Sequence, residues 1–276
     1  MPQQPAIIIS GASRGIGASV ACWLALKGAA LTLIARSEKD LGQVAATARQ
    51  DGTDLLLMPG DIAEPEFCRH VVTETIARFG RVHALINNAG ILEPIDTVAQ
   101  TAPKDWRYNL EVNLLGPYFL MNAAIAYLRD TEGRIINVSS GAAQHPIAAA
   151  SAYCAAKAAL NQLTHVLAVE EPTITSVAVR PGVVDTAMQA LLRYKGPQVM
   201  PPDQSEYYRR LNEDGQLEPP SIPARSIAWL ALAAPKAWSG TFVNYDDPPI
   251  IDSASSFFGS ADSVNCGGKK ADHGKN

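Results

Sequence analysis

The sequence predicts an α/β domain in which a parallel sheet is covered by helices on both faces. Two observations carry that class. Seven short apolar segments of strand length alternate with longer segments of helical period along the chain. The strand segments are continuously apolar rather than apolar at every second residue, which is how strands buried on both faces read. At 276 residues, 47% hydrophobic and 18% charged, the chain has the ordinary composition of a globular protein and the length to bury a large core. One domain over residues 1–246 accommodates the pattern.

The first strand is expected at Ala6 to Ser10, followed at once by Gly11-Ala12-Ser13-Arg14-Gly15-Ile16-Gly17 and a helical pattern through Lys27. Strand, glycine-rich turn and helix in that order build a cradle for a dinucleotide pyrophosphate. Glycines let the backbone approach the phosphates, and the helix amino terminus offers unpaired N–H groups and a positive dipole end. The domain is therefore of the Rossmann type, although the spacing is G-x-x-x-G-x-G and not G-x-G-x-x-G. Further strands are expected at Ala30 to Ala35, Asp54 to Met58, Ala84 to Asn87, Arg134 to Ser139, Thr173 to Arg180 and Gly240 to Asn244, with helices between them. The longest are predicted around Trp106 to Arg129 and Ser151 to Glu170. A ligand should lie beyond the carboxyl ends of the strands, where Ser10, Arg36, Asn87 and Ser139 stand.

Two regions depart from the alternation. Residues 187–222 carry Pro197, Pro201, Pro202, Pro219 and Pro220 among Tyr, Arg and Glu residues, too irregular for one helix and too long for a connector. They are predicted to form a substrate lid, with Met188, Leu191, Leu192 and Tyr194 supplying apolar wall. Residues 247–276 are dominated by Pro, Ser, Gly and Lys and are predicted to be a flexible tail.

Tyr153 and Lys157 stand four positions apart in an Ala-rich stretch, about one helical turn, so they share a face. A phenol gives up its proton near pH ~10, and a neighbouring cation is expected to lower that value toward the working range of a general acid. Charge also speaks to the cofactor. NAD sites place an acidic side chain at the end of the second strand, whereas NADP sites place a base there. Arg36 occupies that position, with Arg14 in the glycine turn and Ser37 beside it, so NADPH/NADP+ is the expected cofactor.

Taken in order, the glycine motif from Ser10 to Gly17, Asp61, Asn87-Asn88-Ala89-Gly90, Asn113, Ser139-Ser140, Tyr153 with Lys157, and Pro181-Gly182 followed by Thr186 resemble the short-chain dehydrogenase/reductase family over residues 6 to about 245. Ser10 replaces the family's usual threonine and retains the hydroxyl. Val166 to Gln189 and Trp238 to Asp246 are similar to the sepiapterin reductase and benzil reductase branch. The resemblance implies that Gly11, Ser13, Arg14, Gly15, Ile16 and Gly17 cradle the cofactor, Asp61 and Ile62 hold the adenine, and Asn88, Ala89 and Gly90 line the ribose. Pro181, Gly182, Val184 and Thr186 would fix the nicotinamide. It further implies that Tyr153 donates a proton to a carbonyl oxygen, Ser140 hydrogen-bonds that oxygen, Lys157 bonds the nicotinamide ribose, and Asn113 holds a water that relays protons to Lys157. Ser139 rivals Ser140, but the family's spacing to the tyrosine favours Ser140.

The implied activity is NADPH-dependent reduction of a small ketone or α-dicarbonyl. A pterin side-chain (sepiapterin) reductase and a catalytically idle NADPH-binding sensor are the alternatives. For a pterin, the matching anchor position is Asn244, an amide where a carboxylate is expected, which disfavours that substrate. His145, in the loop after the fifth strand, is near enough in sequence to touch substrate; His165 reads as a helix-face residue.

Composition excludes other classes. A net charge of −4 with no like-charge run argues against a nucleic-acid or anionic-membrane surface. Met1 to Pro5 has no basic start or long apolar core, and Lys27 interrupts the most apolar stretch, so the expected address is the cytoplasm. Cys22, Cys68, Cys154 and Cys266 form no C-x-x-C pair, and most are expected to be reduced thiols. No metal site is expected. The two long helices resemble those that pair in family dimers, so a homodimer is expected.

Overall fold

The computed structural model describes residues 4–49 and 52–259. The seven strands are β1 (Ala6–Ser10), β2 (Ala30–Ala35), β3 (Leu55–Pro59), β4 (Ala84–Asn87), β5 (Arg134–Val138), β6 (Thr175–Arg180) and β7 (Phe242–Asn244). They form one sheet in the order β3-β2-β1-β4-β5-β6-β7, and each neighbouring pair is parallel. The winding reverses between β1 and β4, and an open α/β sheet gathers its ligand in the crevice at such a point.

Side-chain alternation within each strand divides the core in two. Ile7, Ile9, Leu31, Leu33, Ile86 and Ile136 point to one face, where they pack with α1 (Gly15–Ala25), α2 (Glu38–Arg49) and α9 (Ser221–Ala233). Ile8, Leu85 and Ile135 point to the other and pack with α3 (Pro65–Phe79) and α5 (Gly116–Asp130). Both faces are covered, which is why the strands read as uninterrupted apolar runs.

The helix predicted from Trp106 to Arg129 is instead α4 (Pro103–Leu110), a π-helical turn at Glu111–Leu115, and α5. Pro117 has no N–H to donate into the ladder, and the widened turn precedes it. The other long helix, α6 (Ser151–Glu170), has the predicted bounds. Residues 187–222 are more ordered than their prolines suggest: α7 (Ala187–Lys195) and α8 (Pro202–Glu213) are joined by a short 3₁₀ turn at Gly196–Gln198. The prolines start helices rather than break them, Pro202 taking the first position of α8.

The flexible-tail expectation is corrected over its first part. Pro248–Phe258 form α10, with Ile250 and Ala254 at most 1% exposed and the Phe258 ring 5.2 Å from that of Trp23. Residues 260–276 lie outside the described residues. The cysteine expectation is also corrected in part: Cys68 and Cys154 carry free thiols, but Cys22 is disulfide-bonded, and Cys266 lies outside the described residues. Among the described residues, no helix is long and apolar enough to cross a membrane, and no His, Cys, Asp and Glu groups converge as metal ligands do.

Candidate active site

A cleft of about 1960 Å³ runs along the carboxyl ends of the strands, from Arg36 and Ser37 past the glycine turn to Tyr153 and α7. At one wall the chain leaves β1 through Gly11, whose φ of +67° is the left-handed region that favours glycine. A Cβ there would lie 2.7 Å from Ala89 Cα, and one on Gly17 would overlap the Gly11 carbonyl and Asn88 Nδ2. Asn88 Nδ2 donates to the carbonyls of Ser10 at 3.0 Å and Gly11 at 3.1 Å, while Ser10 Oγ accepts from the main-chain N–H groups of Asn88 and Ala89, both at 3.1 Å. Asn88 thus braces the turn against β4, and the hydroxyl of Ser10 performs the stitching that its position requires.

Gly11, Ser13, Arg14, Gly15, Ile16, Ala89, Gly90, Asp61, Ile62, Pro181, Gly182, Val184 and Thr186 all line the cleft. Gly17 is buried behind the turn, where only a glycine permits so close an approach. Thr186 caps α7 by accepting from the Gln189 N–H at 3.4 Å, and its methyl faces Gly15 across the cleft. Ser37 caps α2, accepting from the Asp40 N–H at 3.3 Å. Arg36 and Arg14 are both exposed beside it.

At the inner end, Tyr153 (8% exposed) and Lys157 (3% exposed) rise from adjacent turns of α6. The Lys157 ammonium lies 5.7 Å from the Tyr153 ring centroid and donates to the Val138 carbonyl at 2.7 Å. Burial brings its pKa down to about 8. Tyr153 departs from the expectation of an acidified phenol. Burial raises its pKa, a hydrogen-bonding interaction with Ser140 opposes that rise, and the Cys154 thiol adds to it. Desolvation of the phenolate prevails here because the ammonium is itself desolvated and aimed at a carbonyl.

Ser140 caps a 3₁₀ turn at Gly141–Ala143, where Oγ accepts from the Ala142 N–H at 3.1 Å, and its hydroxyl remains on the cleft wall. Ser139, its rival, is 2% exposed, and its Oγ has no hydrogen-bond partner. Both serines line the cleft.

Asn113 sits in the π-helical turn, fully buried and off the cleft wall. Its Oδ1 accepts from the Ile91 N–H at 3.2 Å, and its Nδ2 donates to the Ile91 carbonyl at 2.8 Å and to Asn109 Oδ1 at 2.9 Å. Its amide is committed to holding the loop after β4. Gly90 separates it from the amine: a Cβ there would lie 2.8 Å from Asn113 Oδ1 and 3.8 Å from Lys157 Nζ.

Sequence reasoning missed three contributors. Asn109 is fully buried, and its Nδ2 donates to the Glu93 carbonyl at 2.7 Å; its i, i+4 spacing to Asn113 was the available signal. Tyr108 Oη accepts from Arg36 at 3.3 Å and donates to Asp61 Oδ2 at 3.2 Å, joining two expected cofactor residues from a helix remote in sequence. Arg180, at the end of β6, lines the cleft beside Gly141.

Met188, Leu191 and Leu192 form apolar wall as expected, together with Leu92 and Ile147. Tyr194 does not: it is 75% exposed and lies off the cleft, on the outward side of α7. His145 lines the cleft, and His165 is exposed on α6 away from it. Asn244 borders a neighbouring polar pocket of about 280 Å³ with Arg180, Gly182, Asp246 and Asp247. Its Nδ2 donates to Asp247 Oδ1 at 3.1 Å, so a carboxylate already stands beside it.

Comparison with known proteins agrees with this arrangement. The family model described as short chain dehydrogenase matches residues 5–195. An uncharacterised oxidoreductase of Schizosaccharomyces pombe is 36% identical over 87% of this chain and 95% of its own length. Benzil reductase ((S)-benzoin forming) of Saccharomyces cerevisiae is 32% identical over 87% of this chain and 95% of its own. The crystal structure of a short chain dehydrogenase/reductase from Saccharomyces cerevisiae superposes with a TM-score of 0.85 at 33% identity, covering 90% of this chain and 98% of that one. With the parallel sheet, the glycine turn and the Ser140, Tyr153 and Lys157 constellation in place, these matches identify the chain as a member of the short-chain dehydrogenase/reductase family, in its benzil reductase-like branch.

Proposed function

We propose that this protein is an NADPH-dependent carbonyl reductase of small ketones or α-dicarbonyls, working as a cytoplasmic homodimer. The observation that carries the reading is that Ser140 and the buried Tyr153 and Lys157 line the same cleft as Arg14, Arg36 and Ser37. The glycine turn fits a pyrophosphate, since its backbone comes too close to β4 and to its own helix for any side chain at Gly11 or Gly17.

When bound, the cofactor supplies the hydride equivalent. Arg36 and Arg14 would receive the 2′-phosphate, with the Ser37 hydroxyl adding a donor. Tyr153 delivers the proton to the substrate oxygen, and its raised pKa keeps the phenol protonated at neutral pH, the state a donor needs. The Ser140 hydroxyl donates to the same oxygen as negative charge develops there. Lys157 offers a cation below about pH 8. Asn109 and Asn113 act as positioning residues for the Gly90 loop that faces it. The apolar wall of Leu92, Ile147, Met188 and Leu191 supports an uncharged, partly aromatic or aliphatic substrate over a pterin.

The direct test is cofactor oxidation against a panel of carbonyls containing benzil, run with NADPH and with NADH. Turnover of 1,2-diketones with preference for NADPH is expected. In Arg36→Asp that preference should fall by about tenfold or more, the loss of a charge-assisted contact. An unchanged preference would remove Arg36 as the phosphate ligand. Tight NADPH binding with no turnover across the panel would instead support a sensor. The dimer is supported by outward apolar groups on the surfaces of α5 and α6, Tyr118 at 45% and Val169 at 81% exposure among them. Monomeric light scattering at micromolar concentration would contradict it.

A further inference from the structure

Helix α8 carries a polar group that the mechanism above does not use. Gln204 and Tyr208 stand four residues apart on one face of it, and both line the cleft. Gln204 Oε1 accepts from the Ala148 N–H at 2.9 Å, which ties that face to the loop leading into α6. Tyr208 packs against the apolar cluster that contains Tyr153, Leu92 and Leu192. Its ring stands edge-on to that of Tyr207, with centroids 5.2 Å apart. The ring is therefore held from two sides, yet its hydroxyl makes no hydrogen bond to any described residue. Burial first, then Tyr207, Cys154 and Tyr153, push its pKa up to about 12, so at neutral pH it is an O–H donor. The hydroxyl is not sealed from solvent; it stands on the cleft wall with its donor uncommitted, where a ligand oxygen can accept from it.

We propose that Tyr208 recognises a second oxygen on the substrate. With the reacting carbonyl against Ser140 and Tyr153, the Tyr208 O–H donates to an oxygen on the neighbouring carbon, and the site selects vicinal dicarbonyls over simple ketones. This rests on the carbonyl-reductase reading and specifies which part of that substrate class is preferred. An apolar wall alone discriminates weakly between a C=O and a CH₂ of similar size. A dedicated donor rejects the compound that leaves it unpaired.

The test uses two probes that share both phenyl rings: benzil, and deoxybenzoin, in which one carbonyl is replaced by CH₂. Each is assayed with NADPH on the wild type, Tyr208→Phe and Tyr208→His, and NADPH affinity is titrated in parallel. In Tyr208→Phe the ratio of kcat/KM for benzil to that for deoxybenzoin should fall about tenfold, the worth of one hydrogen bond of about 1.4 kcal/mol. NADPH affinity should hold within about twofold, and Tyr208→His, which keeps a ring and a donor, should recover part of the ratio. If wild type reduces both ketones and the ratio does not move in Tyr208→Phe, the Tyr208 assignment falls and the reductase reading stands. Loss of NADPH binding in the Phe variant also overturns it, by making Tyr208 a structural residue. A wild type that reduces neither ketone, while binding NADPH, brings down the reductase reading and this proposal with it.

Discussion

Lys157 illustrates how a single residue can be kept against the interest of the fold. It is 3% exposed, its ammonium is answered by one carbonyl, and its pKa falls from 10.5 to about 8. At 1.36 kcal/mol per unit, holding the charge costs roughly 3 to 4 kcal/mol. The cost is confined to a pH window. Below about 8 the lysine is charged in both folded and unfolded chains and the full cost is present. Between about 8 and 10.5 the folded lysine releases its proton first, and the cost fades. Lys157→Met should therefore abolish turnover yet raise Tm by about 2–6 °C at pH 7, with the gain shrinking as pH climbs past 8. Differential scanning calorimetry at pH 7 and pH 9.5 checks both. A Tm that falls, or a gain independent of pH, would mean the buried charge is not the source.

At the scale of elements, the sequence was most legible where periodicity and burial agree. Apolar runs gave β1, β2 and β4 to the residue, because strands covered on both faces stay apolar until the polar Ser10 and Asn87 or the charged Arg36 mark their ends. The Ala-rich run gave α6 in full and placed Tyr153 and Lys157 correctly on its buried side. What escaped depended on tertiary contacts. Tyr108 meets Arg36 across 72 positions of sequence, a distance no local pattern encodes. The Asn113 amide bonds the Ile91 main chain across 22 positions, again beyond any local pattern. Tyr194, three residues from Leu191 but six from Met188, falls on the outer side of α7. In α10, polar composition hid a stripe at Ile250, Ala254 and Phe258, spaced i, i+4, i+8, with Pro248 as a helix-start signal. That stripe is part of the core, so Ile250→Asp should destabilise by about 3 kcal/mol or more and lower Tm by about 6 °C or more. Thermal unfolding that matches wild type would make α10 a surface ornament.

Across the whole molecule, the sheet and the two helical layers set a rigid floor, and the chemistry is assembled above it from places far apart in the chain. The glycine turn follows β1, Ser140 follows β5, Tyr153 and Lys157 ride on α6, and α7 and α8 follow β6. The central claim is that this convergence makes Tyr153 the proton donor in reduction of a carbonyl. The most direct measurement is steady-state NADPH oxidation with benzil by wild type and Tyr153→Phe, with NADPH affinity determined in parallel by fluorescence titration. Only a hydroxyl is removed, so NADPH affinity should change little while kcat falls by about 10²-fold or more, the range of general-acid contributions. Near-normal turnover by Tyr153→Phe would contradict the account.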